Sequence, residues 1–127
     1  MPERVEGIGG VFLRARDPER LRAWYAQHLG LELRPFGGAV FVAGDGDVTV
    51  WHAASPDDDY FGAPEQRVML NYRVRDLDAM LAQLRAAGVE VDERTAESPH
   101  GRFGWATDPE GNRLELWQPP PGEYPAD

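Results

Sequence analysis

Two stretches of the chain alternate apolar and polar residues and end in the same dipeptide, Arg-Asp. They cover residues 10–17 and 69–76. Alternation of this kind is the pattern of a strand with one buried face. A glycine follows the Arg-Asp pair after 13 residues in the first copy, at Gly30, and after 12 in the second, at Gly88. This near-repeat predicts two copies of one structural module.

A helix is predicted between the Arg-Asp pair and the glycine of each copy. Asp17 can cap the first helix, with Pro18 at the first helical position, where a missing N–H costs nothing. Asp76 is the corresponding cap of the second helix. Gly30 and Gly88 predict the helix ends, because glycine readily adopts a left-handed conformation. Side chains at spacings of three and four form one face of each helix: Leu21, Trp24, Tyr25 and His28, and then Leu77, Leu81 and Leu84 with Met80 beside them.

Three strands are predicted after each helix, separated by Gly-rich and Asp-Pro turns. They cover residues 31–34, 39–43 and 47–52 in the first half, and 89–95, 101–107 and 113–118 in the second. The prediction is therefore a single α+β domain over residues 1–127, made of two βαβββ modules. Module one covers about residues 8–52 and module two about residues 68–118, with a linker or flap at about 53–66 and an extended tail at 119–127.

Composition and charge narrow the classes of function. The chain has no Cys and no Lys, which excludes thiolate chemistry, disulfides and a Schiff-base lysine. The net charge of −9 argues against a nucleic-acid partner. No apolar run approaches the roughly 18 residues that a membrane-spanning helix needs, and the first residues lack a signal-peptide pattern. We therefore expect no membrane partner and a cytoplasmic location.

Several short segments, in the right order, resemble the vicinal oxygen chelate superfamily, which includes glyoxalases, bleomycin-resistance proteins and dioxygenases. The segments are residues 16–18, 24–25, 29–31, 73–78, 87–89, 103–105 and, most specific, the Asp-Pro-Glu-Gly-Asn-Arg-Leu-Glu-Leu-Trp run at 108–117. The resemblance implies two modules related by pseudo-twofold symmetry, with a curved mixed sheet around a cleft. It leaves the reaction type open, because such folds host many functions.

For members that use a metal, the resemblance implies four ligands, one on the first and last strand of each module. The last position matches Glu115. The two first-strand positions fall on Gly10 and Met69, which are not ligands for a hard divalent ion. The fourth falls on Thr49 or Val50, depending on the alignment.

We therefore predict no metal and no cofactor. The alternative is one divalent metal ion, held with the help of His52 or His100. Glu115 is the candidate catalytic residue, as a base or hydrogen-bond acceptor in the cleft. Its other interpretation is a structural ion pair with Arg113 or with another arginine in the cleft.

Aromatic and histidine side chains near the predicted strand ends are the candidate ligand-binding residues, because planar walls suit organic molecules. They are Trp51, Trp105, Trp117, Phe41, Tyr72, Phe103, His52 and His100.

Two main functions fit these observations. The first is a glyoxalase-like or bleomycin-resistance-like protein that holds a small apolar or aromatic compound without a metal. The alternative is a lyase, isomerase or dioxygenase with an atypical metal site or with Glu115 as acid and base. A third interpretation is a regulatory or scaffolding module. The resemblance also implies a homodimer with a small organic ligand as partner.

Overall fold

The computed structural model describes residues 2–122, 124 and 125, and its elements follow the order of the predicted repeat. The helices are α1 (Pro18–Leu29) and α2 (Leu77–Ala86), and a short 3-10 helix covers Asp59–Phe61. The strands are β1 (Gly7–Arg14), β2 (Gly38–Val42), β3 (Val48–Ala54), β4 (Val68–Arg73), β5 (Glu90–Val91), β6 (Ala96–Ser98), β7 (Gly101–Thr107) and β8 (Arg113–Gln118).

The strands form one curved sheet in the order β2-β3-β1-β4-β8-β7-β5, and β6 pairs with β7. At its centre β1 and β4 are antiparallel, with Val11 opposite Leu70. β1 pairs in parallel with β3, and β4 pairs in parallel with β8. Both halves therefore have the same order counted outwards from the centre. The predicted α+β fold with a curved mixed sheet and pseudo-twofold symmetry is confirmed.

Two predicted strands differ from the observed ones. Residues 31–34 form no strand, because the backbone N–H of Arg34 instead donates to a carbonyl at the start of β2 and closes a turn. Residues 89–95 are interrupted, because Asp92 Oδ1 accepts from the backbone N–H of Arg94 at 2.9 Å. Such local side-chain bonds compete with sheet pairing, and here the turn separates β5 from β6.

The predicted helix caps are confirmed. Asp17 accepts from the backbone N–H of Arg20 at 3.1 Å, and Asp76 accepts from that of Ala79 at 3.0 Å. Gly30 ends α1 with φ of 72°. Because each cap satisfies a helix N–H that would otherwise lack a partner, it contributes about 1 kcal/mol.

The two helices pack on the convex face of the sheet, but unequally. α2 covers a core made of Val74, Leu77, Met80, Leu81 and Leu116. α1 has no fully buried residue, and its Trp24 is 49% exposed. A second cluster lies on the concave face and consists of Ala54, Phe61, Met69 and Trp105.

Residues 55–66 close over the concave face, and we call them the cap segment. Arg14, buried in β1, donates to the carbonyls of Pro56, Asp58 and Gln66 at 2.7 to 2.9 Å. Its guanidinium also lies 4.8 Å from the centre of the Phe61 ring. The predicted linker is therefore packed against the sheet by Arg14, together with Arg113, whose Nε donates to the carbonyl of Tyr60 at 2.9 Å.

The C-terminal tail was predicted as extended over the surface, and its described part instead folds back to the cleft. The ring of Tyr124 lies 5.9 Å from that of Trp117, and Arg34 donates to the carbonyl of Pro125 at 3.1 Å. Glu123, Ala126 and Asp127 lie outside the described residues.

Neither α-helix in the described part of the chain is long and apolar enough to span a membrane.

Candidate functional site

A cavity of about 280 Å³ lies on the concave face of the sheet. Its floor comes from residues that point inwards on five strands: Phe12, Val50, His52, Asn71, Phe103, Glu115 and Trp117, with Gly9 beside them. Its sides come from four segments outside those strands, which contribute Phe36, Tyr60, Ser98 with His100, and Tyr124. The walls are mostly aromatic, and the polar groups are few.

Glu115 lies at the base of this cleft and is fully buried. Sheet register puts it between Asn71 on β4 and Trp105 on β7. Asn71 Nδ2 donates to one carboxylate oxygen at 2.6 Å, and Trp105 Nε1 donates to the other at 3.0 Å. The hydroxyl of Tyr60, from the cap segment, donates to the same oxygen as Trp105. Three donors therefore converge on one carboxylate.

Burial and hydrogen bonding have opposite effects on this group. Burial raises the pKa of Glu115, and the bonds from Tyr60, Asn71 and Trp105 oppose that rise. Burial also raises the pKa of Tyr60, and the nearby carboxylate adds to the effect. Tyr60 therefore keeps its proton at neutral pH and acts as a donor. The arrangement orients Tyr60 and Asn71, and leaves Glu115 little freedom to act as a base.

Asn71 leaves one buried acceptor unsatisfied at the base of the cleft. Because its Nδ2 donates to Glu115, its Oδ1 is the remaining polar atom, and this atom is buried without a partner in the described structure. Gly9 makes room for it, since a Cβ built there would lie 2.4 Å from Oδ1. A buried carbonyl oxygen without a donor is costly. This cost would be removed by a ligand with an O–H or N–H.

Two histidines add further polar atoms. Nδ1 of His52 and Nδ1 of His100 are both buried and have no partner among the described residues. Burial lowers the pKa of His52, and the positive charge of Arg22 lowers it further. At neutral pH His52 is therefore uncharged.

The lowered pKa of His52 predicts how stability depends on pH. The unfolded chain binds a proton at His52 below about pH 6.5, and the folded chain does so only at lower pH. The contribution of uncharged His52 to the free energy of unfolding should therefore be fully present above about pH 6.5 and should decrease as the pH falls below that value. Urea unfolding at pH 7.5 and 5.5 should show a smaller loss for His52→Gln than for the native chain. His28→Gln, at the exposed end of α1, is the control. An equal loss in all three proteins would contradict this prediction.

Five of the predicted site residues lie together at the cleft. They are His52, His100, Phe103, Glu115 and Trp117. Trp117 is only 2% exposed, and its Nε1 donates to the carbonyl of His100 at 2.8 Å. The rings of Phe103 and Trp117 are nearly parallel, with centres 6.3 Å apart. These two rings form one wall of the cleft.

The other four predicted residues lie elsewhere. Trp51 points to the convex face, where its ring is 4.9 Å from that of Tyr25 on α1. Tyr72 packs against the α2 core, and Phe41 is 50% exposed outside the cleft. Trp105 is buried under the cap segment, and its contact with the site runs through Glu115.

The misplacement of Trp51 has a simple geometric cause. One of the two alignments considered for the fourth ligand position, the one that gives Thr49, pairs Trp51 with Trp117. Register instead places Ala54 opposite Arg14 and Trp117 opposite Arg73. Ala54, not Trp51, is therefore the counterpart of Trp117. The two residues on β3 are three apart, so their side chains lie on opposite faces.

Eight residues that line the cavity were not among the predicted site residues: Gly9, Phe12, Phe36, Val50, Tyr60, Asn71, Ser98 and Tyr124. Asn71 could have been found, because it lies two residues after Met69 on the same strand and its side chain therefore points to the same face. Tyr60 and Tyr124 come from segments without periodicity, which carry no such signal.

The site does not fit the metal centre that the resemblance implies. Phe12 lies five residues before the capping Asp of α1 and pairs with His52 on β3. Asn71 lies five residues before the capping Asp of α2 and pairs with Glu115 on β8. By register His52 is therefore the counterpart of Glu115, in place of the predicted Thr49 or Val50. The first-strand positions remain Gly and Met, and across residues 2–122, 124 and 125 no three His, Asp or Glu gather as metal ligands. A histidine and one fully bonded carboxylate do not hold a divalent ion.

Comparisons with known proteins agree with this architecture. The family model of the glyoxalase-like domain matches residues 10–117. Among curated proteins, none matches the chain in sequence. Three solved structures illustrate the similarity of fold. Methylmalonyl-CoA epimerase from Mycobacterium tuberculosis is 24% identical, with a TM-score of 0.68, over 92% of this chain and 90% of that one.

The other two are more distant in sequence. Methylmalonyl-CoA epimerase from Streptomyces coelicolor, in complex with 2-nitronate-propionyl-CoA, is 16% identical over 91% of this chain and 99% of that one, with a TM-score of 0.70. A Legionella pneumophila protein described as NAD-dependent benzaldehyde dehydrogenase is 17% identical over 87% and 98%, with a TM-score of 0.59. At these identities the matches establish the fold alone. The family model covers most of the chain, and the chain therefore belongs to the glyoxalase-like domain family of the vicinal oxygen chelate superfamily.

Proposed function

We propose that this protein binds a small, neutral, largely aromatic molecule in the concave cleft and holds it without a metal ion. This is a binding function of the bleomycin-resistance type. The observation that carries the proposal is the unpartnered Oδ1 of Asn71 in a cleft with aromatic walls. Apolar walls with a few fixed polar atoms are the usual composition of a ligand pocket. The Glu115 carboxylate holds the amide of Asn71 in position through its Nδ2.

The charge of the cleft supports a neutral ligand. Among the residues that the structure describes, no arginine lines it, and the chain has no lysine. Within the same residues Glu115, at the base, is the one carboxylate of the lining. A carboxylate or phosphate on the ligand would lose its water here without gaining an opposite charge, which is unfavourable. An O–H or N–H on the ligand would satisfy Asn71 Oδ1.

A matched series of two-ring probes tests this class of ligand. We expect 1-naphthol to bind more tightly than 1-methoxynaphthalene, because only the naphthol can donate to Asn71 Oδ1. One such hydrogen bond is worth roughly 1 kcal/mol, which is about a fivefold difference in affinity. We expect 1-naphthoate to bind most weakly, since its charge has no partner. Isothermal titration calorimetry at pH 7.5 measures all three.

The same series can contradict the proposal. Tightest binding by 1-naphthoate would show that the cleft selects an anion. Equal binding of the naphthol and its methyl ether would remove the role of Asn71. Failure of all three to bind at millimolar concentration would leave the cleft without the proposed ligand class.

One observation favours a second function, an isomerase. Glu115 is a carboxylate in the cleft of a chain that shares its fold with methylmalonyl-CoA epimerases. As a base it would remove the acidic proton beside a carbonyl of the substrate. Methylmalonyl-CoA incubated in D₂O would then gain deuterium with the native chain and not with Glu115→Gln. Two features weigh against it: all three donors already engage Glu115, and that substrate's carboxylate would find no arginine in the cleft.

The homodimer and the cytoplasmic location remain predictions. A homodimer is supported by large apolar side chains that stay exposed in the single chain. They include Leu29, Phe41, Val42 and Val68.

A further inference from the structure

Four arginines surround a second cavity of about 470 Å³, away from the cleft. It lies between the end of β1, the first turns of α1 and the residue that precedes β4. The arginines are Arg14, Arg16, Arg20 and Arg67, and the remaining side chains include Asp17, Trp24 and Tyr25. The chain as a whole has a net charge of −9. This concentration of positive charge is therefore local and opposes the general charge of the protein.

Arg14 is the innermost of the four and is 7% exposed. Its guanidinium donates only to backbone carbonyls, at Pro56, Asp58, Ala63 and Gln66. Among the described residues no carboxylate lies within ion-pair distance of Arg14. The charge of Arg14 acts on the surface carboxyl of Asp57, but the two groups form no ion pair. Buried charges are normally paired with an opposite charge. The N–H donors of Arg14 are directed at the cap segment, so this residue adds positive charge to the cavity without being free to bind an anion directly.

The other three arginines are exposed, and their guanidinium groups have no partner among the described residues. Within the described ranges, the side chains of Arg16, Arg20 and Arg67 form neither ion pairs nor hydrogen bonds. Of the nine arginines outside this cavity, five pair with acids: Arg73, Arg75, Arg94, Arg102 and Arg113. Three more, Arg22, Arg34 and Arg85, donate to backbone carbonyls.

The local backbone adds to the positive potential. The cavity opens on the first turn of α1, where helix N–H groups carry partial positive charge. The carboxylate of Asp17, which lines the cavity, already accepts from the backbone N–H of Arg20 as the helix cap. Trp24, one turn further along α1, is 49% exposed and offers a flat aromatic surface beside the arginines.

We propose that this arginine pocket binds an organic phosphate, with the phosphate oxygens on Arg16, Arg20 and Arg67 and a planar group of the ligand on Trp24. Guanidinium groups bind phosphate through paired N–H donors, which favours arginine for this role. The cavity volume lies within the range of small-molecule sites. This site is separate from the cleft and does not rest on the function proposed for it.

Calorimetric titration with sodium pyrophosphate tests the anionic half of the site. At fixed ionic strength the native chain should bind pyrophosphate, and the double variant Arg16→Gln/Arg20→Gln should bind it at least about tenfold more weakly. Arg4→Gln is the control, because Arg4 is an exposed arginine that lies outside this cavity. Arg14 stays unchanged in all variants, because it holds the cap segment.

Titration with ATP tests the aromatic half. ATP should bind the native chain more tightly than pyrophosphate does, and Trp24→Ala should remove that advantage while leaving pyrophosphate affinity unchanged. Equal pyrophosphate binding by the native chain and the double variant would overturn the proposal. So would an equal loss in Arg4→Gln, which would show a non-specific effect of net charge. Titration of the double variant with 1-naphthol should give the native affinity, which separates this site from the cleft.

Discussion

Replacing Glu115 with alanine is expected to lower the free energy of unfolding by about 3–5 kcal/mol. The substitution leaves Tyr60, Asn71 and Trp105 with buried donors and no acceptor. Each such donor costs about 1–3 kcal/mol. The deleted side chain also leaves a void in a fully buried position. Glu115 is thus expected to contribute to the stability of the fold, whether or not it also takes part in catalysis.

Urea unfolding followed by tryptophan fluorescence and circular dichroism measures this loss. Glu115→Gln should fall between the native chain and Glu115→Ala, because glutamine keeps one acceptor oxygen and replaces the other with an NH₂ group that cannot accept. Glu110→Ala, on an exposed turn, is the control and should change stability by less than about 0.5 kcal/mol. If Glu115→Gln equals the native chain, the carboxyl is protonated when folded and the three-donor description is wrong.

The order of elements could be predicted because its signals are local. Strand alternation before Asp17 and Asp76, and the capping bonds of these two residues, depend on neighbours a few positions away. The same holds for Gly30, whose left-handed conformation ends α1. Such features need no knowledge of what packs against them.

The face to which a strand residue points is less accessible from sequence, because a shift of one residue reverses it. Trp51 and Trp117 each follow an apolar-polar-apolar triplet, yet Trp51 packs on α1 and Trp117 lines the cleft. Only the pairing of β3 with β1 and of β8 with β4 reveals the difference. The same pairing identifies His52 as the counterpart of Glu115. Aligning the two halves of the sequence gives Thr49 or Val50 for that position instead.

Tyr60 illustrates what the sequence does not contain. It reaches Glu115 from a segment with no periodic pattern, and the path of that segment depends on hydrogen bonds from Arg14 to the carbonyls of Pro56, Asp58 and Gln66. These are tertiary contacts between residues more than 40 positions apart. The result is a carboxylate whose three donors come from three separate parts of the chain.

Filling the cleft is expected to abolish ligand binding while leaving the protein folded. Val50 lies on the cleft floor on β3 and is partly exposed. A tryptophan there would project an indole into a cavity of only about 280 Å³, so the ligand and the new ring would compete for one space. We expect Val50→Trp to weaken 1-naphthol binding at least about 100-fold, which corresponds to about 2.7 kcal/mol.

The matched control for this substitution is Thr49→Trp, which places the same ring on the same strand but on the opposite face. Thr49 lies opposite Phe41, outside the cleft. The Thr49→Trp variant should therefore bind 1-naphthol as the native chain does. Both variants should bind pyrophosphate with native affinity, because the arginine pocket is elsewhere. Calorimetry gives the affinities, and circular dichroism checks the fold of each variant. If Val50→Trp binds 1-naphthol normally, or if Thr49→Trp loses binding equally, the ligand lies outside the concave cleft. The roles proposed for Asn71, Phe103 and Trp117 would then be wrong together, because all three depend on that location.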